Sequence, residues 1–171
     1  MISSEMEKAL NNQINKELYS SYYYYSMAAY LDNEGFEGMA NFMKAQGLEE
    51  TTHAQKFYDY VNEQGGRVIL EAIDKPRVEF DSPKQIFELG LEHEKYVTSL
   101  INDLVKLALK ENDYATKAFL DWFVTEQVEE EATMDTILNK FKIIGDSGHG
   151  LLMMDANLGE RLPAPAASES E

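Results

Sequence analysis

Hydrophobic residues recur every three to four positions along four long stretches of the chain, which is the period of an amphipathic α-helix. A shorter apolar stretch at about 147–159 predicts a fifth helix. The long stretches predict helices of nearly thirty residues each, at about 4–32, 36–64, 83–112 and 114–144. Four amphipathic helices of similar length favour an all-α fold in which their apolar faces meet.

Capping residues support these helix limits. Ser4 followed by Glu7 has the pattern of a capping box, so Ser4 is expected to be the N-cap of the first helix. Ser82 before Pro83 marks the start of the third helix, because serine caps well and proline fits the first turn. Gly145 marks the end of the fourth helix.

The connections predict how the helices are arranged. The turns between the first two helices and between the last two long helices are short, so each pair is antiparallel. About seventeen residues, 66–82, join the second helix to the third and could extend roughly 55 Å at ~3.3 Å per residue. That exceeds the ~40 Å length of the helices, so the third helix can start parallel to the second. We predict an all-α four-helix bundle with one long crossover, plus a short C-terminal fifth helix. Interrupted helices and Phe-rich stripes disfavour the competing coiled-coil fibre.

The C-terminal part of the chain divides into a fifth helix and a tail. The fifth helix is too apolar to stand free in water, and a helix this short is marginal alone. The four-helix bundle has no obvious gap for it, so we expect neighbouring subunits to hold it. Residues 1–160 are predicted to form one domain, and residues 161–171 a disordered acidic tail.

Composition narrows the classes of function. The net charge of −16 argues against nucleic acid and anionic membrane as direct partners and favours metal cations, although acidity could also serve solubility alone. The chain contains no Cys, which excludes disulfides, thiolate metal sites and iron–sulfur clusters. It has neither the pattern of a signal peptide nor a continuous apolar run of membrane-spanning length. A cytoplasmic protein is expected.

Each long helix carries polar residues in the middle of its apolar stripe. These residues are Glu17; Glu50 with His53; Glu94; and Gln127 with Glu130. Burying an unpaired carboxylate is costly, and the bundle should bring all four carboxylates to one level. Their combined charge of about −4 would be balanced by two divalent ions, and oxygen ligands with one imidazole suit iron, manganese or zinc.

The set of motifs resembles bacterial non-heme ferritins over about residues 4–160. It consists of the segment 17–21, Glu50-x-x-His53, the pair His93-Glu94, and Trp122 ahead of the acidic run 126–131. The resemblance implies a ferritin-like di-iron domain with one iron bound by Glu17, Glu50 and His53. It implies a second iron bound by Glu50, Glu94 and Glu130, with Glu50 bridging and Gln127 as a further candidate ligand. Helix four offers Gln127-x-x-Glu130 where other di-metal bundles have Glu-x-x-His.

The resemblance also implies two features around the iron pair. Tyr24 is expected to stand beside it, and of the run Tyr22–Tyr25 we expect one or two side chains in the core. A possible third iron site maps to Glu49, Glu126, Glu129 and Glu130, although the first three could simply form a solvated acidic face. His93 is expected to support the site or lie at the surface rather than bind metal, because it points about 100° away from Glu94 on a helix.

The function implied by the resemblance is iron storage and detoxification. A ferroxidase would oxidise Fe(II) with dioxygen and store Fe(III) mineral in a homo-oligomeric cage, most simply a 24-mer. No heme is expected, because Thr51 occupies the position at which the heme-containing relatives have methionine.

Two alternatives remain. A rubrerythrin-like di-iron peroxidase would carry a Cys-rich domain and a second Glu-x-x-His motif. A non-catalytic iron-storage or scaffold subunit would have lost site residues, whereas every expected position is filled here.

Overall fold

The computed structural model describes residues 2–160, which contain five helices and no strand. The helices are α1 (Ser4–Asn33), α2 (Glu37–Glu63), α3 (Pro83–Glu111), α4 (Tyr114–Ile144) and α5 (Gly148–Gly159). The long helices have 30, 27, 29 and 31 residues, so the predicted all-α bundle with a short fifth helix is confirmed. None of these helices is long and apolar enough to cross a membrane. The tail predicted at 161–171 lies outside the described residues.

Helix α1 is capped by Ser3, not by Ser4 as predicted. Ser3 Oγ accepts a hydrogen bond from the Met6 amide at 3.0 Å. The same hydroxyl donates to the Glu111 carboxylate at 2.8 Å, which joins the start of α1 to the end of α3. Ser3 and Ser4 are equally suitable caps by local sequence, and the hydrogen bond to Glu111 favours Ser3. The predicted Ser82 cap of α3 is confirmed, since its Oγ accepts from the Gln85 amide at 3.1 Å.

The crossover between α2 and α3 lies along α1 and runs in the same direction. Asn11 accepts from the Ile69 amide at 2.7 Å, and Ser26, fifteen positions further along α1, donates to the Arg77 carbonyl at 2.6 Å. Because α1 and α2 are antiparallel, this path carries the chain back to the other end of the bundle. Helix α3 therefore begins parallel to α2, as predicted.

A polar layer divides the core into two apolar halves. The half nearer α5 contains Tyr24, Met39, Phe87 and Met134, among others. The opposite half contains Leu10, Phe57, Ile101 and Phe123, among others. Each half draws side chains from all four long helices, so both halves hold the helices in register across the polar layer.

Helix α5 packs on its own bundle, which corrects the prediction that only neighbouring subunits could hold it. Met154 and Leu158 are buried at 6% and 7% exposure, and both join the apolar half formed around Tyr24. The Asp155 carboxylate accepts from the Gly38 and Met39 amides at 3.2 and 2.8 Å. Helix α2 otherwise lacks a side-chain cap, so these bonds satisfy its first free amides.

The close approach of α5 to α2 requires a glycine. A Cβ atom at position 38 would lie 1.8 Å from the Asp155 carbonyl oxygen. The sequence pattern around residue 38 does not reveal this contact, because glycine there resembles an ordinary residue of a helix start.

We expect Asp155→Ala to destabilise the fold by about 1 kcal/mol, the usual loss when a helix cap is removed. Alanine favours helix over aspartate, so any loss of stability comes from the missing cap rather than from α5 itself. Thermal unfolding followed by circular dichroism should show a lower Tm than wild type. The control is Asp146→Ala, an exposed position before α5. Equal Tm values for both variants would contradict the capping role.

Candidate metal centre

Eight polar side chains fill the layer between the two apolar halves, and each is at most 5% exposed. They are Gln13 and Glu17 on α1, Gln46, Glu50 and His53 on α2, Glu94 on α3, and Gln127 and Glu130 on α4. All six side chains predicted for the middle of the bundle are therefore buried in one layer. The helical period places them there, since each continues the apolar stripe of its own helix.

Glu17, Glu50 and His53 form a group that could hold a metal ion. One ligand atom from each lies within 4.8 Å of the other two, and no other described His, Asp or Glu residues form such a group. His53 Nδ1 is 3.4 Å from Glu50 Oε2, a contact set by their i,i+3 spacing on α2. The rings of Trp122 and Phe123 meet the His53 ring edge-on at 5.4 and 6.0 Å and fix its orientation.

Glu94 and Glu130 lie on the α3 and α4 side of the layer, where hydrogen bonds hold each carboxylate. Tyr24 OH donates to Glu94 Oε1, and Gln127 Nε2 donates to Glu94 Oε2 at 3.1 Å. Gln46 Nε2 donates to Glu130 Oε2 at 2.8 Å. Among the described residues, Glu94 and Glu130 are not gathered with Glu50 into a second three-ligand group.

Two glutamines of the layer were missed by the sequence analysis. Gln13 Nε2 donates to Glu17 Oε1 at 2.7 Å, and Gln46 holds Glu130. A signal for both existed in the sequence. Gln13 is four residues before Glu17, and Gln46 is four residues before Glu50, so each amide shares a helix face with a candidate ligand.

Burial and mutual repulsion favour the neutral form of every carboxylate in the layer. Burial raises the pKa of Glu17 well above its usual value, and the charge of Glu50 adds to the shift. Burial and then the charge of Glu94 do the same to the pKa of Glu50. The pKa of Glu94 is raised by burial, and that of Glu130 is raised to about 7 by burial and the charge of Glu94. No lysine or arginine within residues 2–160 forms an ion pair with any of them.

Unpaired oxygen atoms in the layer fit a bound cation. Glu17 Oε2 and Glu50 Oε2 are buried and accept no hydrogen bond from an N–H or hydroxyl group of the described residues, which leaves them only a proton shared between the two carboxyl groups. Buried polar atoms are normally satisfied, so two orphaned carboxylate oxygens in one cluster require an explanation. A divalent cation between Glu17, Glu50 and His53 would satisfy both oxygens and supply the missing positive charge. Carboxylates with an imidazole suit iron, manganese or zinc.

Comparison with known proteins supports the same interpretation. Residues 7–144 match the sequence profile of the Ferritin-like domain family. The chain belongs to the ferritin family. It is 42% identical over 161 residues to the bacterial non-heme ferritin of Staphylococcus epidermidis, covering 94% of this chain and 97% of that relative. It also matches the crystal structure of an open pore ferritin from Archaeoglobus fulgidus with a TM-score of 0.94 and 48% identity, covering 95% and 100% of the two chains. The resemblance to bacterial non-heme ferritins is thereby confirmed.

The side chains expected at a third iron site of this ferritin line the outer edge of α2 and α4. Glu49 and Glu126 are partly buried and Glu129 is exposed, while Glu130 belongs to the polar layer. The pKa of Glu126 is raised mainly by burial, with smaller contributions from the charges of Glu129 and Glu49. These carboxylates therefore interact, but they do not form a compact ligand group in the described residues. The third site stays a prediction.

His93 forms a hydrogen bond with α1 and is not part of the candidate ligand group. Its Nε2 lies 2.7 Å from Ser20 Oγ, and that hydroxyl donates to the Lys16 carbonyl at 3.0 Å. His93 Nε2 must therefore carry the proton and donate to Ser20. Burial and the nearby charge of Lys16 lower the pKa of His93 to about 4, so the ring is neutral at pH 7.

Two side chains of the run Tyr22–Tyr25 lie in the core, as expected. Tyr23 and Tyr24 are buried at 8% and 0% exposure, whereas Tyr22 and Tyr25 are 52% and 40% exposed. Burial and then the charge of Glu94 raise the pKa of Tyr24 well above its usual value, so its hydroxyl keeps its proton and donates to Glu94.

Binding of a divalent metal should release protons, and more of them at pH 6.5 than at pH 8. A ligand carboxyl must lose its proton, and Glu130, with a pKa of about 7, is mostly protonated at the lower pH only. Zinc added to iron-free protein in a pH-stat measures the release. In Glu130→Gln, the difference in proton release between pH 6.5 and pH 8 should fall by roughly 0.7 proton per subunit. An unchanged difference in this variant would show that Glu130 does not titrate on binding.

Proposed function

We propose that this ferritin oxidises Fe(II) with dioxygen at the polar layer of the bundle and stores the product as Fe(III) mineral. The observation that carries the proposal is a cluster of buried carboxylates with which no described lysine or arginine pairs, and in which two oxygens accept no hydrogen bond from a described N–H or hydroxyl group. Such a cluster is costly unless cations enter it. Relatives of similar length are bacterial non-heme ferritins, which supports iron as the cation.

We assign two ferrous ions as substrates in each subunit. Glu17, Glu50 and His53 would bind the first, and Glu50, Glu94 and Glu130 the second, so that Glu50 bridges the pair. Four carboxylates carry −4 when ionised, which equals the charge of two Fe(II) ions. Each iron gives up one electron and dioxygen accepts both electrons. Hard carboxylate oxygens favour the ferric product over the ferrous substrate.

Tyr24 and Gln127 would act on this reaction through Glu94. Both donate to the Glu94 carboxylate, which fixes its rotamer before iron arrives. Helix α4 supplies Glu130 with Gln127 rather than a Glu-x-x-His pair, so the second site has one strong ligand fewer. We expect weaker binding there, which would let oxidised iron leave for storage instead of remaining as a cofactor.

Mineral storage requires a closed space, and exposed apolar side chains support assembly into a cage. Ile69, Leu70 and Ile73 of the crossover are 53%, 63% and 40% exposed. A second apolar area contains Ile143, Leu152 and Met153, which are 84%, 64% and 62% exposed. Two separate apolar areas on one subunit suit a symmetric assembly with more than one kind of contact. We propose a closed homo-oligomer of twenty-four subunits. A cytoplasmic location stays a prediction.

The alternatives are less well supported. A rubrerythrin-like peroxidase would need a second Glu-x-x-His motif, and the chain has one. A non-catalytic storage subunit would need a defect in the polar layer, whereas the six candidate ligands of the iron pair are all buried there.

Glu50→Ala should slow the fast phase of Fe(II) oxidation on the order of 100-fold or more, because the variant removes a ligand shared by both ions. Stopped-flow absorbance after mixing iron-free protein with Fe(II) in air measures the rate. Glu92→Ala, an exposed glutamate on α3, is the matched control and should keep the wild-type rate. The iron-free Glu50→Ala bundle should be at least as stable as wild type, because a carboxyl group that is costly to bury among other carboxyls is gone. A wild-type oxidation rate in Glu50→Ala would refute the assignment.

Light scattering on the full-length protein tests the assembly. We expect a mass close to twenty-four times the 19.5 kDa subunit at micromolar concentration, because the two apolar areas should be covered. A stable monomer would contradict the cage and the storage role, although it would leave oxidation at the polar layer open.

A further inference from the structure

An open cavity lies between α1, α3 and the crossover, and the proposed iron chemistry does not use it. Its volume is about 400 Å³, which falls within the range of ~300–1,000 Å³ that holds small organic ligands. None of the candidate iron ligands lines it. His93 and Ser20 form part of the wall nearest the bundle interior, and their hydrogen bond closes that side.

The cavity presents two lysines in a strongly acidic protein. Lys16 of α1 and Lys75 of the crossover both line it, and neither forms an ion pair within residues 2–160. The chain has 15 basic and 31 acidic residues, and the lining of this cavity has two lysines but only one carboxylate. Asp74 is the one carboxylate of the lining, and it pairs with neither lysine. Lys16 and Lys75 therefore supply the positive charge at this site.

Two tyrosine rings form the aromatic part of the wall. Tyr19 stacks on Tyr23, with ring centroids 6.0 Å apart and planes inclined by 23°. The Tyr96 ring lies 6.3 Å from the His93 ring, and the side chain is 46% exposed although it lines the cavity. A ring that already packs against another ring loses little conformational entropy when a planar ligand stacks on its free side.

We propose that this cavity binds a small planar aromatic molecule that carries a phosphate group. The lysine ammonium groups would hold the phosphate as two point charges that match its two negative charges. The tyrosine rings would stack on the aromatic part of the ligand. Flavin mononucleotide and adenosine monophosphate share this chemistry, and both are small enough to test at a cavity of this size.

The test uses assembled, iron-free full-length protein, so its result does not depend on iron oxidation. Quenching of flavin fluorescence measures binding of flavin mononucleotide, and isothermal titration calorimetry measures binding of adenosine monophosphate. We expect saturable binding of at least one of them, with a Kd below roughly 1 mM. Riboflavin, which lacks the phosphate, and inorganic phosphate, which lacks the ring, should each bind at least tenfold more weakly.

Variants locate the site. Lys16→Gln combined with Lys75→Gln should weaken binding at least tenfold, and Tyr96→Ala should weaken it as well. Lys106→Gln, on the exposed face of α3, is the matched control and should bind like wild type. Elution volume and circular dichroism check that each variant is folded and assembled. If the double variant fails this check, Lys75→Gln alone replaces it, because Lys75 lies in the crossover and outside the helices.

Several results would overturn the proposal. They are absence of saturable binding of both nucleotides, riboflavin binding as tightly as flavin mononucleotide, phosphate binding as tightly as either nucleotide, or full affinity in the folded lysine variant. Binding of only one nucleotide supports the proposal and identifies which aromatic phosphate the cavity accepts. Loss of iron oxidation in Glu50→Ala with intact nucleotide binding would separate this cavity from the metal centre.

Discussion

Repulsion among four buried carboxylates is the interaction on which the rest of the structure depends. Glu17, Glu50, Glu94 and Glu130 occupy the middle of the core, and no lysine or arginine in the described part of the chain forms an ion pair with them. Burial in low dielectric disfavours each negative charge, and the carboxylates also repel one another. In the iron-free protein, protonation and donated hydrogen bonds relieve this repulsion. Divalent ions would relieve it more completely, so the same energetic cost that disfavours the empty layer favours iron entry.

The surrounding fold keeps the carboxylates together against this repulsion. Apolar side chains above and below the layer hold all four helices, so the helices cannot separate at the middle without exposing both halves. The crossover along α1 makes α3 parallel to α2, which brings Glu94 level with Glu50. Helix α5 adds support at one end, where Asp155 satisfies the first amides of α2. Each connection thus contributes to the position of a candidate ligand.

Most of the fold and the burial of the inner candidate ligands could be predicted from the sequence, because both follow the helical period. Glu50 and His53 continue the stripe of Met39, Met43 and Phe57, so their burial follows from their spacing. Contacts between segments that are distant in the chain do not follow the helical period, so they could not be predicted in this way. The use of Ser3 as the cap of α1 depends on its contact with Glu111, and the packing of α5 against α2 depends on Gly38. The role of Gln46 depends on Glu130 of another helix, although its burial could have been read from the stripe of α2.

Anomalous diffraction at the iron edge, from crystals soaked anaerobically in Fe(II), tests the central claim most directly. Two iron peaks should appear in each subunit about 3.5–4 Å apart, the usual spacing of a paired metal site. One peak should lie between Glu17, Glu50 and His53, and the other between Glu50, Glu94 and Glu130. Iron bound only at the acidic surface around Glu129, with an empty polar layer, would contradict the account.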